Sequence, residues 1–96
     1  MSAFVIATYT IKNPQKFAEY GRGAGPSLAP FGGEVLRRGK VKTTLAGATD
    51  HELTTIIKFP DPASLAAWYA SAAYQAIIPI REEGADMTLV AYDALT

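Results

Sequence analysis

The densest run of side chains able to do chemistry is Trp68-Tyr69-Ala70-Ser71, followed by Tyr74 and Arg81. Aromatic rings with polar tips combine contact area with orientation, which is what a small-molecule pocket needs. The competing reading makes Trp68 a core residue packed on a sheet and Ser71 a helix cap. For Trp68 the core reading is the stronger. Tyr69 and Tyr74 each carry a hydroxyl that needs a partner or an opening to water. Arg81 shares a helical stripe with Tyr74, Ile77 and Ile78, and an arginine on an apolar stripe must pair with something. An acid such as Asp93 or Glu19 is the structural partner, and a ligand carboxylate is the sharper alternative.

A second candidate lies in Glu34–Arg38. Strict alternation places Glu34, Leu36 and Arg38 on one side of a strand, with Val35 and Arg37 on the other. A guanidinium aimed into a cleft would hold a carboxylate or phosphate through its planar donor fork. Otherwise Arg38 joins an ion pair, and Arg37, Lys40 and Lys42 form a solvated rim. Tyr9 and Tyr20 could join the same cleft. His51 is the only histidine and so the one ready-made proton shuttle near neutral pH. It stands in the polar run Ala48–Glu52, where an exposed histidine needs no explanation; it is the catalytic candidate if there is catalysis. Gly21-x-Gly23-x-Gly25 lacks the preceding strand and following helix that a dinucleotide loop requires.

Composition narrows the chemistry further. The chain has 96 residues, of which 49% are hydrophobic and 19% charged, the profile of one small globular domain. The absence of Cys removes disulfides, thiolate zinc sites and iron–sulfur clusters. A single His leaves no multi-histidine metal site, so neither a metal nor a cofactor is expected. Lys and Arg together number 9, as do Asp and Glu, which argues against nucleic acid or an anionic membrane as partner. Nothing reads as a signal peptide or a membrane span, so the expected location is the cytosol. Charge is uneven along the chain: residues 1–48 carry seven basic and two acidic side chains, and residues 49–96 reverse those numbers. In an interleaved fold that becomes complementary surface within or between subunits.

The elements that must position these residues follow from pattern. Ala3–Ile11 is a β-branched and aromatic strand, apolar on both alternating faces. Asn13-Pro14 starts a helix with Phe17, Tyr20, Gly21 and Ala24 on one stripe, and Pro26 and Pro30 predict a kinked or irregular second half. Gly32-Gly33 is a turn. Glu34–Arg38 and Val41–Gly47 read as short strands joined at Gly39-Lys40. Leu53–Phe59 is a strong strand, Asp61-Pro62 starts a helix bearing Leu65, Trp68, Tyr69 and Ala72, and Ser71 can cap a further segment. Pro79 must bend or restart that segment, Gly84 ends it, and Asp86–Asp93 closes the sheet. With Val41–Gly47 set aside as a short hairpin strand, the order is β-α-β-β-α-β, an α+β ferredoxin-like sandwich. Its strands offer apolar residues to the face away from the helices, so a second copy is expected to cover that face and close a dimeric α+β barrel.

Leu36-Arg37-Arg38-Gly39, Leu45-Ala46-Gly47, Ile57-Lys58-Phe59-Pro60, Ala67-Trp68-Tyr69-Ala70-Ser71, Tyr74-Gln75 and Pro79-Ile80-Arg81 resemble domain-of-unknown-function family 1330. The resemblance covers nearly the whole chain and implies the dimeric α+β barrel. It departs at Ser71-Ala72-Ala73-Tyr74, where the family usually has Ser-Pro-Glu-Tyr, and at Ala46, where a Glu is usual. The family has no settled activity. Two function classes follow. The first is a homodimer binding a small organic, aromatic or anionic ligand through Arg38, Tyr69, Ser71, Tyr74, Tyr20 and Arg81. The second is a cofactor-independent enzyme of monooxygenase or isomerase type.

Overall fold

Two Asx-Pro pairs set where the main helices begin. Asn13 Oδ1 accepts the backbone N–H groups of Gln15 and Lys16, both at 3.1 Å, and opens α1 (Pro14–Leu28). Asp61 accepts the Ser64 N–H at 2.7 Å and opens α2 (Pro62–Ala70). Each proline occupies a first-turn position, where a missing N–H costs nothing. The computed structural model, which describes residues 2–96, adds β1 (Ala3–Ile11), β2 (Glu34–Lys40), β3 (Leu53–Phe59), α3 (Ala72–Gln75), α4 (Ile78–Gly84) and β4 (Ala85–Asp93). The strands form one four-stranded antiparallel sheet of order β2-β3-β1-β4. This is the ferredoxin-like α+β arrangement.

Alternation sorts the side chains cleanly on β1. Ala3, Val5, Ala7 and Tyr9 are buried on the helix side, while Phe4, Ile6 and Thr8 face the other way. Ile57 and Phe59 of β3 continue the inner face, opposite Val5 and Ala3. Tyr20, Leu28, Leu65, Trp68 and Tyr74 close over them, with Phe59, Trp68 and Tyr74 the largest fully buried side chains. The outer face carries Phe4, Ile6, Ile56, Val90 and Tyr92 in adjacent register. Phe4 and Tyr92 stack there at 5.1 Å. No helix among the described residues packs on that face.

Three local expectations change. Gly39 and Lys40 do not turn the chain; they remain in β2, paired with Thr54 and Leu53. The ladder ends where Val41 N–H donates to Glu52 O at 2.7 Å, and Val41–Gly47 forms no strand. The place beside β2 on the sheet side is taken by β3, and the other edge of β2 stays unpaired. α1 runs unbroken through Pro26, which is exposed, so the carbonyl it leaves unpaired can be hydrated. Strict alternation along β2 fails at Leu36. Val35 opposes Ile57 and Arg37 opposes Ile56, so a bulge lies between them. Val35 and Arg38 therefore share the inner face, with Glu34 and Arg37 on the outer one.

Pro79 restarts the helix as expected: α3 ends at Gln75 and α4 begins at Ile78. The end of α4 is locked against the start of α1, because Gly84 O accepts the N–H groups of Lys12 at 2.8 Å and Asn13 at 3.1 Å. A Cβ on Gly84 would lie 2.7 Å from the Phe17 backbone nitrogen, with no flexible side chain to yield. Gly84→Ala is expected to lower unfolding free energy by about 1–3 kcal/mol in urea titration. Gly21→Ala, whose Cβ meets nothing within 4 Å in a helix, is expected to raise it by up to about 1 kcal/mol. A neutral Gly84→Ala would refute the close-packed junction.

Candidate functional site

Trp68 projects from α2 into the layer between helices and sheet. Its Nε1–H donates to Ser27 Oγ at 2.9 Å, and Ser27 in turn donates to Ala24 O at 2.6 Å, tying α2 to α1. Its ring lies 5.3 Å from Phe59 on the sheet and 4.5 Å from Tyr74 on α3. The core expectation for Trp68 holds, with its one polar atom satisfied. Ser71 turns the chain between α2 and α3. Its hydroxyl donates to Trp68 O at 2.7 Å and accepts the Tyr74 N–H at 3.2 Å.

Arg81 sits in α4 at 8% exposure, among phenols. Its Nη1 donates to Tyr74 Oη at 3.0 Å and, more loosely, to Tyr69 Oη at 3.4 Å. Tyr74 Oη shares a 2.8 Å hydrogen bond with Tyr20 Oη. The carboxylate partner is Glu82 at 3.2 Å, not Asp93 or Glu19. Glu82 is the next residue in the chain, while Glu19 pairs with Lys16 on the surface of α1 at 3.6 Å. Burial works against the Arg81 charge, but the hydrogen bonds from its guanidinium to Tyr69 and Tyr74 outweigh it and raise its pKa. Burial, and then the neighbouring Tyr74, push the Tyr20 hydroxyl well above the ordinary phenol value of 10.0.

Two cavities flank Trp68. One, of about 200 Å³, lies between α1 and the inner sheet face. Tyr9, Phe17, Tyr20 and Trp68 supply its aromatic wall, Met87 and Leu89 the aliphatic one, and Arg38 its cation. Tyr9 is held in place by a 2.8 Å hydrogen bond to Thr55 on β3. The other, of about 280 Å³, is lined by Val5, Leu65, Trp68, Tyr69, Leu89 and Ala91. Arg38 and Tyr20 thus meet in the first cavity, and Tyr69 stands in the second. Ser71, Tyr74 and Arg81 line neither; they brace the helices. His51 also lines neither; it stands in the loop after β2, with Nδ1 at 2.9 Å from Thr10 Oγ1. Among the described residues no group of acids and histidines could hold a metal.

Met87, Leu89 and Ala91 were not singled out by type, since aliphatic residues carry no chemical signal. Their β4 parity would have found them, because they oppose the inward Tyr9, Ala7 and Val5. Arg38 reaches the cavity for a reason alternation does not contain, the bulge at Leu36. Among the described residues no acid lies within ion-pair distance of it.

The chain belongs to a family described as a domain of unknown function, DUF1330, whose model matches residues 2–95. No curated protein matches it. Among solved structures, a protein of unknown function from Rhodopseudomonas palustris is similar at a TM-score of 0.81 and 19% identity, covering 99% of this chain and 83% of that one. The cofactor-independent oxygenase SnoaB from Streptomyces nogalater is similar at 0.70 and 11% identity, covering 99% and 94%. A dimeric ferredoxin-like protein of unknown function from Jannaschia sp. CCS1 is similar at 0.70 and 13% identity, covering 98% and 100%. These likenesses establish the ferredoxin-like fold.

The raised Tyr20 pKa has a consequence for stability. Above the ordinary phenol range the unfolded chain releases this proton while the native state keeps it, so stability must fall with rising pH. The contribution is complete below pH 10.0, the ordinary value, and shrinks above it. Urea unfolding across the alkaline range is expected to give a decline that is shallower in Tyr20→Phe. Equal slopes in the two proteins would refute the buried phenol pair.

Proposed function

We propose that two copies of this chain pair through their outer sheet faces, and that each binds a small, largely apolar organic acid in the cavity beside Arg38. The observation that carries the binding reading is Arg38 itself. The β2 bulge turns an arginine without a carboxylate partner toward an aromatic cavity, where it can grip an incoming carboxylate with two donors. A cavity of about 150 Å³ already accepts benzene, so the 200 Å³ here suits one substituted ring. Tyr9, Tyr20 and Trp68 give that ring edges and faces to pack on. Pairing is supported by the apolar strip of Phe4, Ile6, Ile56, Val90 and Tyr92, and by the dimeric description of the Jannaschia protein.

The enzyme reading uses the same cavity. It draws on the likeness to a cofactor-independent oxygenase, and its proton-handling groups would be tyrosines, since His51 lies elsewhere. Oxygen uptake with the bound acid present would select it over simple binding.

Benzoate, phenylacetate and salicylate at millimolar concentration are expected to raise the thermal midpoint. Arg38→Ala is expected to weaken the best of them about 10- to 100-fold, as loss of a charged hydrogen-bond donor does. No shift with any of them, or equal affinity in the variant, would remove the binding site.

Light scattering is expected to report about twice the 10.2 kDa chain mass, and Ile6→Glu is expected to return single chains. A single-chain mass for the unaltered protein would remove the pairing.

A further inference from the structure

The two cavities share a wall. Among the described residues Trp68 and Leu89 alone line both of them. These two wall members differ in freedom. Trp68 is 2% exposed, tied to Ser27 and held between Phe59 and Tyr74. Leu89 is half-buried on β4, an edge strand, and has no polar anchor. A leucine on an edge strand changes rotamer cheaply, whereas a pinned indole does not. Leu89 is therefore the movable part of the partition.

Size points the same way. Small-molecule sites usually fall between about 300 and 1,000 Å³, and neither 200 nor 280 Å³ reaches that alone. Opened to each other they do. The compartments also differ in character: the first holds the cation Arg38, and the second is lined by aliphatic and aromatic side chains, with Tyr69 its only hydroxyl-bearing residue among the described ones.

Resting on the binding reading above, we propose that the two cavities are compartments of one bent site for an elongated acid. The carboxylate sits at Arg38, the chain passes Leu89, and an apolar tail fills the space between α2 and β4. This brings Tyr69 into the same site as Arg38 and Tyr20, although it lies in a different cavity. It also gives Leu89 a specificity role, since its rotamer decides whether the tail compartment is reachable.

The test compares benzoate with 5-phenylpentanoate by calorimetry. Each buried methylene adds about a fourfold gain in affinity, so the longer acid is expected to bind at least about tenfold tighter. Ala91→Leu places bulk in the tail compartment at an exposed inner-face position and is expected to bring the ratio of the two affinities toward one. Leu89→Ala is expected to widen the ratio. If benzoate binds through Arg38 but the longer acid gains nothing, or Ala91→Leu leaves the ratio unchanged, the joined site is overturned and the single cavity stands. If neither acid binds, the binding reading falls and takes the joined site with it.

Discussion

Everything in this fold is arranged around the placement of Trp68. One indole reaches α1 through its hydrogen bond to Ser27, the sheet through Phe59, and α3 through Tyr74. A large aromatic so packed is worth about 3–5 kcal/mol against Ala, a large part of the stability a domain of this size possesses. Its position also decides where empty space can exist. The indole fills the middle of the layer between helices and sheet, so the remaining volume is split to either side of it. The same residue that closes the core therefore creates two cavities.

The polar interior next to Trp68 serves a different end. Arg81 is a buried cation whose nearest carboxylate, Glu82, is itself largely exposed. Its charge is dispersed over the oxygens of Tyr74 and Tyr69, and Tyr74 passes the hydrogen bonding on to Tyr20. Such a network is tolerable only when its members are nearly all satisfied; here Arg81 Nε is the one buried side-chain nitrogen or oxygen without a hydrogen-bond partner among the described residues. The consequence is specificity of packing: α1, α2, α3 and α4 each contribute a member or a neighbour, so the helices have one relative placement. Through Tyr20 and Tyr69 the helix side of the two cavities inherits that placement.

The sheet divides labour between its faces. Its inner face carries the core at Ala3 and Phe59 and borders the two cavities through Val5, Ala7, Ile57 and Ala91. Its outer face carries an apolar strip with no element above it among the described residues. Both follow from β1, whose residues alternate without interruption from Ala3 to Tyr9. β2 obeys a different rule. Its bulge exchanges the faces of every later residue, and this one extra residue is what turns Arg38 toward the aromatic cavity.

Apart from the strand expected at Val41–Gly47, which does not form, local signals in the sequence were sufficient for the order of elements, the Asn13 and Asp61 caps, the restart at Pro79, the Ser71 cap and the two-faced character of β1. Each depends on residues within a turn or two of one another, and on periods of 2 or 3.6 that the chain itself carries. The core role of Trp68 was also legible from its helical stripe. What only the tertiary structure decided was where strand pairing stops, which face Arg38 takes, which acid meets Arg81, and which tyrosines border open space. Those outcomes are set by how far β2 pairs with β3 and in which register, and by how one indole divides the layer. Apart from the Arg81–Glu82 pair, whose members are chain neighbours, they are distances between residues far apart in the chain, and no local period encodes them.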